Sequence, residues 1–365
     1  MNMLKRGGLL LSLAFTMNGF TPADGATVGS TPANGVNVNV NEAAHRVDVT
    51  VDGKPFTSYL WETNQRKPVL YPLIAPDGTT VTRGYPFQTI SGERVDHPHH
   101  AGLWFNYGNA NNFDFWNNSD AIKPADRSKY GTVKFDKIVS AKSGDNAGEL
   151  VTESTWVAGD PAAGNTKPIM TQTTRYVFSK LTVDGNPGRA IDMAVTLKAL
   201  TPVVFHDDKE GLLGIRVAHF LESATEKGGT FLDANGKATQ VAAADTAGAT
   251  GVYRTSEGVT GDAVWSTRGR WCELSGTTKD GKAETIAIFD HAGNPGYPTY
   301  WHARGYGLFA ANPLGAHIFN PKAEPMNYSI ETGKAATFRY RILIVSGTAT
   351  SDELNRQAQK FETEK

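Results

Sequence analysis

The segment Thr337-Phe338-Arg339-Tyr340-Arg341-Ile342-Leu343-Ile344, near the end of the chain, decides the fold class. One parity of this segment is apolar and comprises Phe338, Tyr340, Ile342 and Ile344. The other parity carries polar side chains at Thr337, Arg339 and Arg341. Because successive side chains of a strand point to opposite faces, the alternation predicts a strand with one buried face, as in an antiparallel sheet.

Further alternating or apolar runs lie upstream, and most are bounded by turn residues such as the Asp-Gly-Asn-Pro-Gly stretch at 184–188. Together they predict at least ten strands. The runs are Gly131–Ser140, Glu149–Val157, Met170–Ser179, Ala190–Ala199, Gly211–Leu221, Ala283–Asp290, Gly305–Ala311 and Ala336–Val345, the last of which contains the segment quoted above.

Both ends of the predicted domain carry local signals. Residues 45–51 alternate and end at Asp52-Gly53, which predicts a tight turn into a second strand and therefore an edge hairpin. Thr350 and Glu353 form a capping box before an apolar stripe, which predicts a C-terminal helix. We expect an all-β protein, a large antiparallel β-sandwich of one domain over residues 40–365, in which the segment 225–262 is an elaborated loop.

Composition and charge limit the classes of structure and function that the protein can have. The 365 residues include 39% hydrophobic and 20% charged residues, enough to build a core. The net charge is −1 with no basic cluster, so nucleic acid is not an expected partner. The single cysteine, Cys272, excludes an intramolecular disulfide and indicates a buried apolar filler.

The N-terminus resembles a secretory signal. Lys5 and Arg6 precede an apolar run at 7–17, which is too short to span a bilayer, and small residues precede a possible cut after Gly25. We therefore predict a signal peptide over residues 1–25 and a flexible lead-in over 26–39. The mature protein is expected to be periplasmic or secreted, without a membrane span.

The densest chemical cluster is Asp96-His97-Pro98-His99-His100. If the segment is extended, His97 and His99 share one face and His100 points to the other. Two imidazoles beside a carboxylate divide acid and base roles near neutral pH, or hold a divalent metal together with a third ligand from elsewhere. A structural role, with rings bonded to loop carbonyls, is the third alternative. No cofactor is predicted, and a metal through His97 and His99 stays open.

The residues after this cluster are rich in aromatic and amide side chains. Trp104, Asp114 and Trp116 offer ring faces and hydrogen-bonding groups of the kind that bind a pyranose. A core strand flanked by a polar turn is the alternative. The segment is therefore a possible carbohydrate-binding surface.

Two more stretches carry candidate groups. In the Gly- and Pro-rich stretch 290–309, His302 and Arg304 share parity, so both can face one cavity. At the entry of another strand, Glu210 is a candidate general base and Arg216 its candidate ionic partner. A solvated charge cluster in a turn is the competing interpretation. The sequence contains no Walker loop, no dinucleotide-binding glycine motif and no Gly-x-Ser-x-Gly elbow, which leaves nucleotide-driven and serine-hydrolase chemistry unsupported.

These stretches resemble a family of exported bacterial proteins known as DUF6807 and often labelled "methane oxygenase PmoA". The resemblance covers roughly residues 45–346, with Ala101 standing where family members often have Arg. It rests on Asp96–His100 with Gly102-Leu103-Trp104, Asp114-Phe115-Trp116, Lys209-Glu210-Gly211, Gly214–Val217 and the run Tyr300–Pro313, which includes Trp301 and Asn312. It implies a sandwich like that of galactose mutarotase-like enzymes, and a role in sugar metabolism.

We therefore predict an exported carbohydrate-active enzyme (a lyase, epimerase or hydrolase) whose partner is a small sugar or an oligosaccharide. A non-catalytic sugar-binding protein and a metal-dependent oxidoreductase are the alternatives. The expected catalytic residues are His97, His99, His100, Glu210 and His302. The expected substrate-binding residues are Trp104, Asp114, Trp116, Arg216, Trp301, Arg304 and Asn312.

Overall fold

Two antiparallel sheets of eight strands each form the protein. The computed structural model describes residues 34–159, 164–224, 228–241 and 248–363. The strands are numbered in chain order. Across sheet 1 they run β1 (Val36–Asn41), β2 (Arg46–Val51), β3 (Lys54–Leu60), β4 (Val69–Leu70), β5 (Leu103–Tyr107), β11 (Gly211–Arg216), β18 (Leu308–Asn312) and β17 (Tyr300–Arg304).

Sheet 2 contains the longest strands and the segment with which the sequence argument began. Across it they run β14 (Val252–Thr255), β15 (Trp271–Thr277), β16 (Ala283–Asp290), β20 (Ala335–Ser346), β9 (Asn186–Ala199), β8 (Lys167–Val183), β7 (Ala147–Ala158) and β6 (Gly131–Lys142). The predicted antiparallel β-sandwich is confirmed.

Short elements complete the fold. Two small ribbons pair β10 (Val203–Phe205) with β19 (Tyr328–Ile330), and β12 (Gly229–Leu232) with β13 (Ala238–Val241). The helices are α1 (Ala316–Phe319) and α2 (Ser351–Thr363), and 3-10 turns span Glu42–Ala44, Pro124–Lys129, His219–Leu221 and Gly261–Val264. The described residues cluster as one compact unit.

The core lies between the two sheets, because each sheet presents its apolar parity to the other. Phe56 meets Phe178 with ring centroids 6.1 Å apart, and Phe105 meets Phe338 at 6.0 Å. Cys272 is fully buried in the same core, as predicted. Burial of these rings is the main favourable contribution to folding, since the hydrophobic free energy scales with the apolar area removed from water.

The outer faces of the two sheets are covered differently. Helix α2 packs Leu354, Ala358 and Phe361 against the outer face of sheet 2. As predicted, Thr350 caps this helix, with its hydroxyl 3.3 Å from the Glu353 amide, although the Glu353 carboxylate bonds Arg356 and Gln357 instead of completing the box. The polar cluster described below lies on the outer face of sheet 1.

Three sequence predictions need correction. Strand β1 begins at Val36, inside the segment 26–39 predicted as a flexible lead-in, and it rather than the β2–β3 hairpin forms the sheet edge. The predicted strand 211–221 ends at Arg216, before the 3-10 turn. Residues 305–307 form the turn between β17 and β18, where Gly307 has a φ of +92° that favours glycine. The predicted signal segment, 1–25, lies outside the described residues.

Candidate functional site on the outer face of sheet 1

Four neighbouring strands of sheet 1 place the predicted groups on one face. Trp104 pairs with Gly214, Gly214 with Ala310, and Ala310 with His302, so the four residues form one row across β5, β11, β18 and β17. Directly paired residues point to the same side of a sheet. At about 4.8 Å per strand, roughly 14 Å separates the Cα atoms of Trp104 and His302.

A second row lies two residues further along and contains Arg216, Leu308 and Arg304. His302 and Arg304 therefore share a face, as their parity predicted. The opposite face of the same strands holds core residues. The outer face thus gathers groups from segments far apart in sequence.

The histidine cluster is a turn and not a strand. The His100 amide donates to the His97 carbonyl at 2.9 Å, and His97 has a φ of +44°, uncommon for a non-glycine residue. The prediction that His97 and His99 share one face while His100 points away is therefore wrong. Instead, all three rings meet, with centroids 5.7 Å apart for His97 and His99 and 4.4 Å apart for His99 and His100.

Two buried arginines hold this turn. Arg83 donates to the Asp96 carboxylate at 2.9 Å, and also to the carbonyls of Asp96, His97 and His100. Arg216 donates to the same Asp96 Oδ1 at 2.7 Å. The predicted pairing of Arg216 with Glu210 is therefore wrong, because Asp96 takes the guanidinium.

The third donor to Asp96 Oδ1 is the His97 ring, whose Nδ1 lies 3.2 Å away. Burial opposes ionisation of Asp96, but the hydrogen bond from His97 and the charges of Arg216 and Arg83 hold the pKa of this carboxyl well below its usual range. Asp96 is therefore an anion that fixes the His97 ring.

Four aromatic rings, including that of His97, stack in series. Tyr306 stacks on His97 with centroids 5.1 Å apart, His97 on His100 at 4.9 Å, and His100 on Trp104 at 5.3 Å. Trp116 donates its indole N–H to His100 Nε2 at 3.1 Å, and an N–H of Arg216 lies 3.5 Å from Nδ1 of the same ring. Burial lowers the pKa of His100 well below its usual value, which keeps the ring neutral.

Trp104 and Trp116 support these rings from below. Both are about 1% exposed or less, and a Cβ on Gly214 would lie 2.6 Å from Trp104 and 2.8 Å from Trp116, so the glycine makes room for them. Asp114 accepts two hydrogen bonds from Asn117 in the turn that carries Trp116. The structure thus places all three behind the histidines, as positioning residues.

At the other end of the row, His302 is buried and oriented by backbone. Its Nδ1 lies 2.9 Å from the Lys209 carbonyl, which can only accept, so Nδ1 carries the proton and Nε2 has a lone pair. Burial, followed by the charge of Arg304, lowers the pKa of His302 to about 3. Glu210 Oε2 lies 3.8 Å from His302 Nδ1, and Glu210 Oε1 pairs with Lys209.

Asn312 positions the same segment. Its amide donates to the Asp208 carbonyl at 2.8 Å, and its oxygen accepts from the Leu314 amide at 3.0 Å. Both ends of the side chain are therefore occupied by the backbone that precedes Glu210 and follows β18.

Three buried polar atoms of the predicted catalytic residues lack hydrogen-bond partners within the described residues. They are His99 Nε2, Glu210 Oε2 and His302 Nε2. An unpaired buried polar atom costs about 1–3 kcal/mol, so proteins rarely retain one without a use. Three of them on one face indicate a surface prepared for polar groups of a ligand.

A cavity of about 460 Å³ opens beside the histidine turn. Asp96 and Tyr306, which both contact His97, form part of its wall. Around them the wall contains Arg94, Gly228, Asp262, Trp265, Ala303, Arg304 and Gly305. The volume is in the range of small-molecule sites.

A family model described as a family of unknown function (DUF6807) matches residues 46–359. The chain belongs to the DUF6807 family. This confirms the family resemblance predicted from the motifs. Export and the oxygenase label stay predictions.

No protein of curated function matches this DUF6807 chain. A solved galactose mutarotase-like protein from Clostridium acetobutylicum is 10% identical, with 85% of this chain and 98% of that chain covered and a TM-score of 0.39. An alpha-galactosidase from Lactobacillus brevis is 12% identical, with 88% of this chain and 42% of that chain covered and a TM-score of 0.39. The chain thus spans less than half of the galactosidase.

The DUF6807 structure does not bring every predicted residue to this face. Trp301 precedes His302 in β17, so it points to the opposite side, where it is fully buried in the core. His302 and Arg304 share parity along the strand, whereas Trp301 has the opposite parity and therefore points to the opposite face.

Sequence reasoning missed several functional candidates. Lys67 is 4% exposed and donates to the His99 carbonyl at 2.7 Å, and burial lowers its pKa to about 7. Arg83, Tyr306 and Trp265 also lie at the site. Tyr306 stood in the quoted glycine-rich run, but Lys67 and Arg83 had no local signal because their contacts are long-range.

The described part of the chain contains no group of three His, Cys, Asp or Glu side chains arranged to hold a metal ion. In the same part of the chain, no helix is long and apolar enough to cross a membrane.

Proposed function

We propose that this protein is a carbohydrate-active enzyme that transfers protons to and from a sugar on the outer face of sheet 1, with His97 as the acid–base residue. The arrangement of His97 carries the proposal. Its ring is 41% exposed, its Nδ1 is held by the ionised Asp96, and its backbone is strained. Unusual backbone conformations persist where surrounding structure enforces them, and they cluster at functional sites.

The Asp96–His97 pair suits general acid–base chemistry. Because Asp96 Oδ1 accepts from Nδ1, that nitrogen carries a proton, and Nε2 is the atom that takes up or gives a proton. Within the described residues, no group hydrogen-bonds this Nε2. A carboxylate that fixes the ring also stabilises the imidazolium formed when the ring accepts a proton.

Tyr306 is placed to assist. Burial raises its pKa to about 12, so the phenol stays protonated near neutral pH and remains a hydrogen-bond donor. It stacks on His97 and forms part of the cavity wall. In the proposed reaction it donates to a substrate oxygen on which negative charge develops.

The chemistry of the cavity favours a sugar over an apolar ligand. Its wall combines carboxylates and guanidiniums with the rings of Tyr306 and Trp265. Each sugar hydroxyl both donates and accepts, and pyranose C–H faces pack on aromatic rings. Glu210 Oε2 and His302 Nε2 add unpaired acceptors on the same face, and His99 Nε2 adds a further unpaired polar atom.

Hydrogen exchange with solvent tests the proposal without knowledge of the product. The full chain is incubated in D2O with aldoses, uronates, glycosides and keto-glycosides, and NMR follows deuterium incorporation, anomer exchange and product formation. We expect at least one sugar class to react. His97→Ala should lower that rate by about 10²- to 10⁴-fold, the usual contribution of a positioned acid–base group.

His45→Ala is the matched control. His45 also has a positive φ and a carboxylate 3.2 Å from Nδ1, but it lies at the start of β2. Its rate should equal that of the wild type. An unchanged rate in His97→Ala would reject the role assigned to His97. Sugar binding without turnover or exchange would show that the protein is a sugar-binding protein and not an enzyme.

A further inference from the structure

Arg304 is the one cavity guanidinium that makes no hydrogen bond or ion pair with any described residue. It stands at the end of β17, half-buried, with its guanidinium carbon 4.6 Å from the centroid of the Trp265 ring. Packing on an aromatic ring holds a guanidinium in place while its N–H groups stay available. The N–H groups of Arg304 are therefore held in place and have no acceptor among the described residues.

Other arginines of the chain show that this is unusual. Arg94, in the same cavity wall, donates to Glu222 at 3.2 Å. Arg268 also packs on a ring, 5.0 Å from the centroid of Tyr300, but it donates to the carbonyls of Pro298 and Gly296. Ring packing alone thus does not leave a guanidinium without acceptors.

The charges around the cavity leave Arg304 uncompensated. Asp96 is paired with both Arg83 and Arg216, and Arg94 is paired with Glu222. Asp262 is exposed and forms no ion pair with Arg304 in the described residues. Arg304 is therefore the wall guanidinium whose charge is available to an anionic group of a ligand.

Resting on the proposed function, we infer that the sugar is acidic and that Arg304 binds its carboxylate. The planar guanidinium matches a carboxylate through two parallel N–H···O bonds. The indole Nε1 of Trp265 is buried without a partner and supplies a further donor beside Arg304. With the carboxylate held there, the ring of the sugar extends along the wall toward Asp96 and Tyr306, which both contact His97.

A phosphate ester is the other anion that a guanidinium binds, but it carries more negative charge, and the wall already contains the carboxylates of Asp96 and Asp262. We therefore commit to the carboxylate.

Equilibrium binding separates these possibilities. Calorimetry of the full chain compares D-glucuronate and D-galacturonate with D-glucose, D-galactose and D-galactose 6-phosphate. A uronate should bind about 10- to 100-fold more tightly than its neutral sugar, the effect of a charged hydrogen-bonded pair. Arg304→Gln should abolish this preference, with the affinity for the uronate falling to that for the neutral sugar, and Arg304→Lys should retain part of it.

Arg268→Gln is the matched control and should keep the wild-type preference. Thermal unfolding checks that each variant is folded; Arg304→Gln removes no hydrogen bond within the described residues, so we expect it to fold. Equal affinity for uronate and neutral sugar, or a preference for the 6-phosphate, would overturn the carboxylate inference and leave the proposed proton transfer standing. Failure of every sugar to bind would overturn both.

Discussion

His97 and His45 both have a positive φ, of 44° and 50°, and both hold Nδ1 3.2 Å from a carboxylate. Their surroundings differ. Asp96, the partner of His97, is 28% exposed and accepts from two buried arginines, whereas Glu62, the partner of His45, is 62% exposed and is not paired with an arginine among the described residues.

The difference shows what makes a histidine–carboxylate pair suitable for acid–base chemistry. An exposed pair is screened by water and rearranges freely, and it contributes little to stability. The Asp96 pair is held by Arg83, which ties the carboxylate to the carbonyls of the turn itself. The same two residue types therefore form a fixed acid–base unit in one region and an ordinary surface contact in the other.

Low pH should produce the largest difference between the histidines of the site and the surface pair of His45 and Glu62. The folded-state pKa values of His99, His100 and His302 are lowered, first by burial, whereas an unfolded histidine titrates near pH 6.5. The unfolded chain thus takes up about three extra protons below pH 6.5, so stability is full above that pH and falls as pH decreases. Below pH 5.5 these three rings should contribute a slope of about 4 kcal/mol per pH unit to the free energy of unfolding, measured in urea from pH 7.5 to 5. Asp290 and Glu284, whose pKa values burial raises to about 7, contribute a slope of opposite sign.

Variants assign this slope to the site. His302→Gln should remove about one third of it, since one of three protons is lost. His45→Ala should leave it unchanged, because that ring is 50% exposed and lies outside the site. If the slope of His302→Gln equals that of the wild type, the His302 ring is not held neutral.

Loss of the arginine behind the turn is the next largest expected effect. Arg83→Met should lower the free energy of unfolding by about 3–5 kcal/mol, because it removes one partner of a buried ion pair and leaves several carbonyls unpaired. The comparison is Arg66→Met, whose pair with Asp120 is partly exposed and should be worth less than about 1 kcal/mol. Chemical denaturation measures both, and equal losses would mean that Arg83 does not anchor the turn.

Removal of the carboxylate charge should have the smallest effect of the three. Asp96→Asn keeps an oxygen for the same donors but leaves Arg83 and Arg216 without a counter-charge, so we expect a loss of about 2–3 kcal/mol. Glu62→Gln should cost less than about 0.5 kcal/mol. If the two substitutions cost the same in urea unfolding, the distinction between the two pairs fails.

The sequence predicted those parts of the fold that depend on local pattern. The strand 283–290 and the helix beginning after Thr350 were located from alternation and capping, because both signals lie within a few residues. Strand β1 carried the same alternation, Val-Asn-Val-Asn-Val-Asn, and was missed because its asparagines and neighbouring glycines suggested a lead-in. Its apolar parity decides the pairing with β2.

The site was predictable in its residue types but not in its partners. Histidine density identified the turn, yet the choice of Arg216 for Asp96 rather than Glu210 depends on strands that meet only in the folded sheet. Lys67 and Arg83 contact the turn from 32 and 14 residues away in the chain, and periodicity contains no information about such contacts. Extended geometry also failed at His97, where a proline follows and the backbone turns.

The row of strands under the site has a consequence for how the protein matures. Strands β5, β11 and β18 are each separated by about 100 residues of chain, and such non-local pairings form late because loop closure opposes them. Most strands of sheet 2, by contrast, join through sequential hairpins. A partly folded chain can therefore contain the hairpins of sheet 2 before the site exists, so ligand binding would report completion of folding.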